Sequence, residues 1–175
     1  MAGIGMKDIA TRGEAPMGSV YHHFPGGKTQ LVSEALVIHA GKSRALLESF
    51  FDGKRTATAA IRLLFNTAAE GFERAGANKG CAIGAVTLDV TSTDESLRHI
   101  CAATFDSWAG IIAGHLPWSD AQSRHSFANL IVITLEGAFV LGRARRSGTP
   151  FREAGRWLSK LAMTQQQSSR RRRKA

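Results

Sequence analysis

The sequence predicts an all-α protein, and three observations carry that expectation. Apolar residues recur at helical spacing along most of the chain, breaks containing Gly or Pro separate these stretches, and no segment alternates with the period of two of a half-buried strand. The elements follow in order.

Lys7-Asp8-Ile9-Ala10-Thr11-Arg12 reads as a short helix over 6–12, and Gly13 is the natural break after it. Pro16 suits the first turn of a second helix, because its ring presets φ and its missing N–H would be unpaired there anyway. That helix runs from 16 to about Phe24, where Pro25-Gly26-Gly27 stops it. Helix, tight turn and helix make a helix-turn-helix, whose second helix can enter a DNA major groove.

A third helix spans Lys28 to about Phe51, with Leu31, Ala35, Ile38, Ala45, Leu46 and Phe50 as expected buried positions and Gly41 as an interruption. From Thr56 the spacing of Ile61, Leu64, Phe65, Ala68 and Phe72 is helical until Gly76-Ala77-Asn78. A shorter apolar helix runs from Gly80 to about Thr91. Thr93 to Ser96 then offer capping residues with acids in the first turn. The helix behind them sets Leu97, Ile100, Cys101, Thr104, Phe105, Trp108, Ile111 and Ile112 on one face. After Pro117, Ser119-Asp120 can cap a helix over 120–146 that is apolar nearly all round, through Phe127, Leu130, Ile131, Leu135, Ala138, Phe139 and Leu141. Such a helix needs cover on several sides. Phe151, Ala154, Trp157, Leu158 and Leu161 stripe a last helix, and Gln165 onward reads as unstructured.

Composition narrows the possibilities further. A chain of 175 residues can bury a sizeable core. No apolar run approaches the ~20 residues of a membrane helix and no signal segment opens the chain, so no membrane is expected. Two cysteines without a secretion signal fit a reducing cytoplasm. The net charge of +9 is uneven: Arg170 to Arg173 and Lys174 supply five of those charges, and residues 1–55 carry seven bases against five acids. Charge alone therefore supports a nucleic-acid partner without establishing one.

On the second helix, Pro16, Met17, Gly18 and Ser19 stand near the beginning, where base edges are met. Tyr21 and His22 can donate to phosphate oxygens, and Lys28 sits at the N-terminus of the next helix, where an anion is favoured. A polar turn in an ordinary helical protein would look similar. Phe24 is expected in the core, and His23 fits either place. Cys81 and Cys101 lie among apolar residues, which favours structural thiols over a redox sensor. No metal-ligand cluster, cofactor motif or nucleophile–base pairing stands out, so catalysis is the weaker reading.

The residues Ile9-Ala10, Gly18-Ser19-Val20-Tyr21-His22-His23-Phe24, Lys28 and Leu31 resemble the signature of TetR-type one-component repressors. The wording from Ala15 to Lys28 is similar to the branch holding the lincomycin-resistance and flavonoid-responsive repressors, and Cys81-Ala82-Ile83-Gly84-Ala85 resembles the start of a ligand-domain helix there. The family turn usually reads Ala-Gly, where Gly13-Glu14 stands here, so the glycine sits one position early. Family members also carry a helix ahead of the helix-turn-helix. Its absence before Met1 implies a misassigned start or a truncated head, in which Ile4, Ile9, Val20 and Phe24 lose cover.

The resemblance implies a helix-turn-helix DNA-binding domain over 1–45 and a helical ligand-binding and dimerisation domain over 46–164, while composition makes 165–175 a disordered basic tail. It implies a cytoplasmic homodimer that holds a palindromic operator in double-stranded DNA and releases it on binding a small apolar or aromatic effector. A pocket for that effector is expected from the resemblance, with Phe65, Phe72, Cys101, Trp108, Thr134 and Phe139 as candidate walls; each serves equally well as core. The alternatives are a truncated dimeric small-molecule binder that holds DNA poorly, and a helical enzyme using Cys101 or a histidine.

Overall fold

Eight helices and no strand form along the described residues, which in this computed structural model are 5–90 and 93–172. They are α1 (Met6–Arg12), α2 (Met17–His23), α3 (Gly27–Phe50), α4 (Ala57–Arg74), α5 (Ala82–Val90), α6 (Glu95–Gly114), α7 (Ala121–Arg145) and α8 (Thr149–Arg172). Ile4, Thr91 and the side chains of the basic run from Arg170 to Lys174 lie outside the described part.

The helix starts are set by side-chain caps where the sequence places them. The Thr56 hydroxyl accepts from Ala59 N–H at 3.2 Å, Asp94 from Leu97 N–H at 3.1 Å and Asp120 from Ser123 N–H at 2.7 Å. Each pairs one of the donors that a helix start leaves without an intrahelical partner. Pro16 stands one position earlier than expected, as the N-cap of α2 in extended backbone.

Four expectations are corrected. Gly41 does not interrupt α3, which is continuous to Phe50. The buried face of that helix is Val32, Leu36, Leu47 and Phe50, while Ala35, Ile38, Ala45 and Leu46 are exposed and Leu31 is half-buried. α3 carries apolar residues on two faces, and spacing alone does not say which one is covered. The last helix continues past Gln165 to Arg172, because a polar sequence without Gly or Pro offers nothing to stop a helix already nucleated by packing. α7, finally, has the length and apolar composition of a membrane span, because scattered polar residues break its apolar runs without lowering its overall hydropathy.

The chain divides into two compact units that do not follow its order. One lies within Met1–Lys42 and Ala82–Thr104, the other within Ser43–Cys81 and Phe105–Ala175. In the first, the buried residues include Ala10, Val20, Val32, Leu36, Ile83, Val86, Leu97 and Cys101. The Thr29 hydroxyl donates to Asp94 at 3.2 Å, tying the start of α3 to the start of α6.

In the second unit α8 packs on α4 and α7. Two glycines let them approach. A Cβ on Gly155 of α8 would stand 2.6 Å from Phe65 Cβ of α4, and one on Gly142 of α7 would stand 3.0 Å from the Phe151 ring. Phe72, Phe139 and Phe151 form an aromatic cluster at this junction, with centroids 4.9–6.3 Å apart. Glu73 locks the α7–α8 turn. It accepts from Gly148 N–H at 3.0 Å and from both terminal nitrogens of Arg152, at 2.8 and 2.6 Å. The Arg152 guanidinium holds the Glu73 carboxyl down at about 2.

Candidate functional site

α1 and α2 form two short helices around a turn at Gly13-Glu14-Ala15. Gly13 has an ordinary φ of −87° and its N–H donates to Ile9 O, while Glu14 takes the left-handed φ of +50°. The glycine does sit one position early: the strained place in the turn is held by Glu14.

On α2 only Val20 is buried. Gly18, Ser19, Tyr21, His22 and His23 are exposed and Met17 is half-buried, so the residues assigned to base and phosphate contacts stand on the open surface of the helix. Pro16, also exposed, starts the helix from extended backbone. Phe24 is a half-buried C-cap and not a fully buried core residue. The His22 and His23 rings meet edge to face at 5.4 Å. Behind them, Gly27 at φ +68° turns the chain into α3, and Lys28 follows as the second residue of that helix, half-buried. Lys7 and Arg12 are two further exposed cations on α1. Their charge is visible in the sequence, but spacing alone does not separate a DNA contact from a solvated face.

The six candidate effector residues are spread more widely. Phe65 and Phe72 are buried on α4, the first under Gly155 and the second in the cluster with Phe139 and Phe151. Phe139 is half-buried. Thr134 donates its hydroxyl to Leu130 O at 2.6 Å, one turn back in its own helix. The Cys101 thiol is buried and donates to Ile83 O at 3.8 Å. Trp108 is buried edge-on to Phe105 at 5.5 Å, and its indole N–H has no partner among the described residues.

One polar group here was not read from the sequence. Glu136 of α7 is the sole ionisable residue from Ser126 to Gly142. Burial pushes its carboxyl above the ordinary glutamate range, with a hydrogen bond from Cys81 working the other way. Its Oε1 is shut off from solvent and has no partner among the described residues. A single acid inside a long apolar run was the available signal.

Residues 57–157 match the family model of the C-terminal domain of LmrA/YxaF-like transcriptional regulators. The chain is 28% identical to the helix-turn-helix-type transcriptional regulator YxaF of Bacillus subtilis, over 83% of this chain and 78% of that one. It is 32% identical to a helix-turn-helix-type transcriptional regulator of Mycobacterium tuberculosis, over 91% of this chain and 84% of its relative. A solved TetR regulatory protein from Rhodobacter sphaeroides superposes with a TM-score of 0.82 at 22% identity, covering 91% and 88% of the two chains. With a helix-turn-helix whose second helix presents its polar side outward, an all-helical remainder and these matches, the chain belongs to the TetR family of transcriptional regulators, in the LmrA branch.

Proposed function

We propose that this regulator is a homodimeric repressor that holds a roughly palindromic operator through α2 and lets it go when a small apolar or aromatic effector binds the helical domain. The observation that carries the reading is the outward-facing N-terminal half of α2, with Gly18, Ser19 and Tyr21 exposed over a buried Val20. Residues at that position of a second helix meet base edges. The role is regulatory and not enzymatic, and it is exercised in the cytoplasm.

The dimer has its own support. Ile133 and Val140 of α7 are 66% and 62% exposed, and Trp157 and Leu161 of α8 are 58% and 51% exposed. These belong to one unit, and large apolar side chains exposed in such number mark an interaction surface. A twofold axis through it would cover α7 and α8 and impose a twofold operator. Release is then a population shift, set by how much better the effector binds the non-DNA conformation.

A gel shift of DNA from upstream of the protein's own gene tests the reading. Retardation that weakens steeply with added salt is expected, because phosphate contacts release counterions. No retardation at low salt, with the protein folded, would contradict it.

A further inference from the structure

Effector recognition in an apolar helical domain needs a polar handle, and the structure holds one that its own packing does not use. The Glu136 carboxyl is drawn into the unit formed by Ser43–Cys81 and Phe105–Ala175, and its hydrogen-bonding neighbour there is the Cys81 thiol, a weak donor. Oε1 is left without a partner among the described residues. Burial raises its pKa above the ordinary glutamate range, and the Cys81 hydrogen bond works against that rise. A buried acceptor in this condition lowers stability, and replacement by an apolar side chain would raise it. A buried acceptor left unsatisfied calls for an explanation, and small-molecule sites set a few polar groups of this kind among apolar walls.

We propose that Glu136 is the polar anchor of the effector site, accepting a hydrogen bond from an N–H or O–H group on an otherwise aromatic molecule. This rests on the reading of the protein as an effector-responsive regulator and adds to it the chemical class of the effector. A protonated amine and a phenolic hydroxyl both supply the donor. They differ in whether the carboxylate charge is needed: an amine pairs with the ionised carboxylate, whereas a phenol needs only an acceptor oxygen.

The test is calorimetric titration of the full chain with three probes of one ring size, namely phenol, benzylamine and toluene. For the wild type, at least one of the two donors should bind about tenfold or more tightly than toluene. E136M removes the acceptor at nearly equal length and should abolish that preference. The same variant, without ligand, should melt at a higher temperature than the wild type, the reverse of what loss of a structural contact gives. E136Q keeps an acceptor oxygen without the charge, so it retains a phenol preference and loses a benzylamine one. Equal binding of toluene, a preference that survives in E136M, binding of no probe at millimolar concentration, or a lower melting temperature in E136M would each overturn the proposal. The gel shift of the unliganded wild type is read separately. A protein that shifts DNA but fails here loses the anchor and keeps the regulator reading.

Discussion

At the scale of single residues, the turn between α1 and α2 is the most instructive place. A non-glycine residue in left-handed backbone costs on the order of 1 kcal/mol, and Glu14 bears that cost beside a glycine that does not need its freedom. Glu14→Gly is therefore expected to stabilise the head by up to about 1 kcal/mol, read as slower amide exchange across α1 and α2. Faster exchange would mean that the glutamate side chain contributes more than its backbone loses. Phosphate contact is the other residue-scale matter. Lys28→Ala should weaken DNA binding similarly on all sequences and make log K less steep against log salt by up to about one unit. Tyr21→Phe should weaken it without altering base preference. A Lys28→Ala protein with unchanged affinity and salt slope contradicts the assignment. These surface residues were legible in the sequence because motif and spacing coincide. Glu136 was not, since burial and a missing partner are three-dimensional facts.

At the scale of elements, helix limits were legible and faces were less so. Caps at Thr56, Asp94 and Asp120 are local chemistry, so the starts of α4, α6 and α7 followed from a few residues each. Which face of α3 is covered depends on neighbours distant in sequence, and the spacing pointed to Ile38 and Leu46 where Leu36 and Leu47 are buried. The last helix shows the same. Its expected stripe contains Phe151 and Leu158, which are buried, and Trp157 and Leu161, which are exposed. Aspartate at Leu158 or Phe139 would thus strike the subunit's own packing, whereas Val140→Asp or Trp157→Asp strikes the open face. The latter variants should sediment as monomers while keeping their helical circular dichroism, and an unchanged dimer would remove α7 and α8 from the interface. Glu73 and Arg152 join α4 to α8 in a pair close to half exposed on both sides. The carboxyl is depressed from 4.5 to about 2, so its stabilisation is complete above 4.5 and is lost as pH falls through about 2. The melting-temperature gap between wild type and Glu73→Gln should close over that range. A gap independent of pH would show that Glu73 acts by shape alone.

At the scale of the molecule, order along the chain is a poor guide to its units. Division at residue 45 suits the motif, yet residues 82–104 group with the N-terminal segment in space, and no local signal announces that return. α6 begins in one unit, where Asp94 bonds Thr29 beside Lys28, and ends in the other, where Trp108 is buried. In the proposed function, two copies of this chain read DNA through α2 with twofold symmetry. A footprint of the full chain on its own upstream DNA tests that most directly. The account predicts protection over two inverted half-sites whose centres are about one helical turn, or a multiple of it, apart, with a Met17 or Ser19 substitution changing which base pairs are protected. Protection of a single unrepeated site by one chain, or a footprint indifferent to changes at Met17 and Ser19, would contradict it.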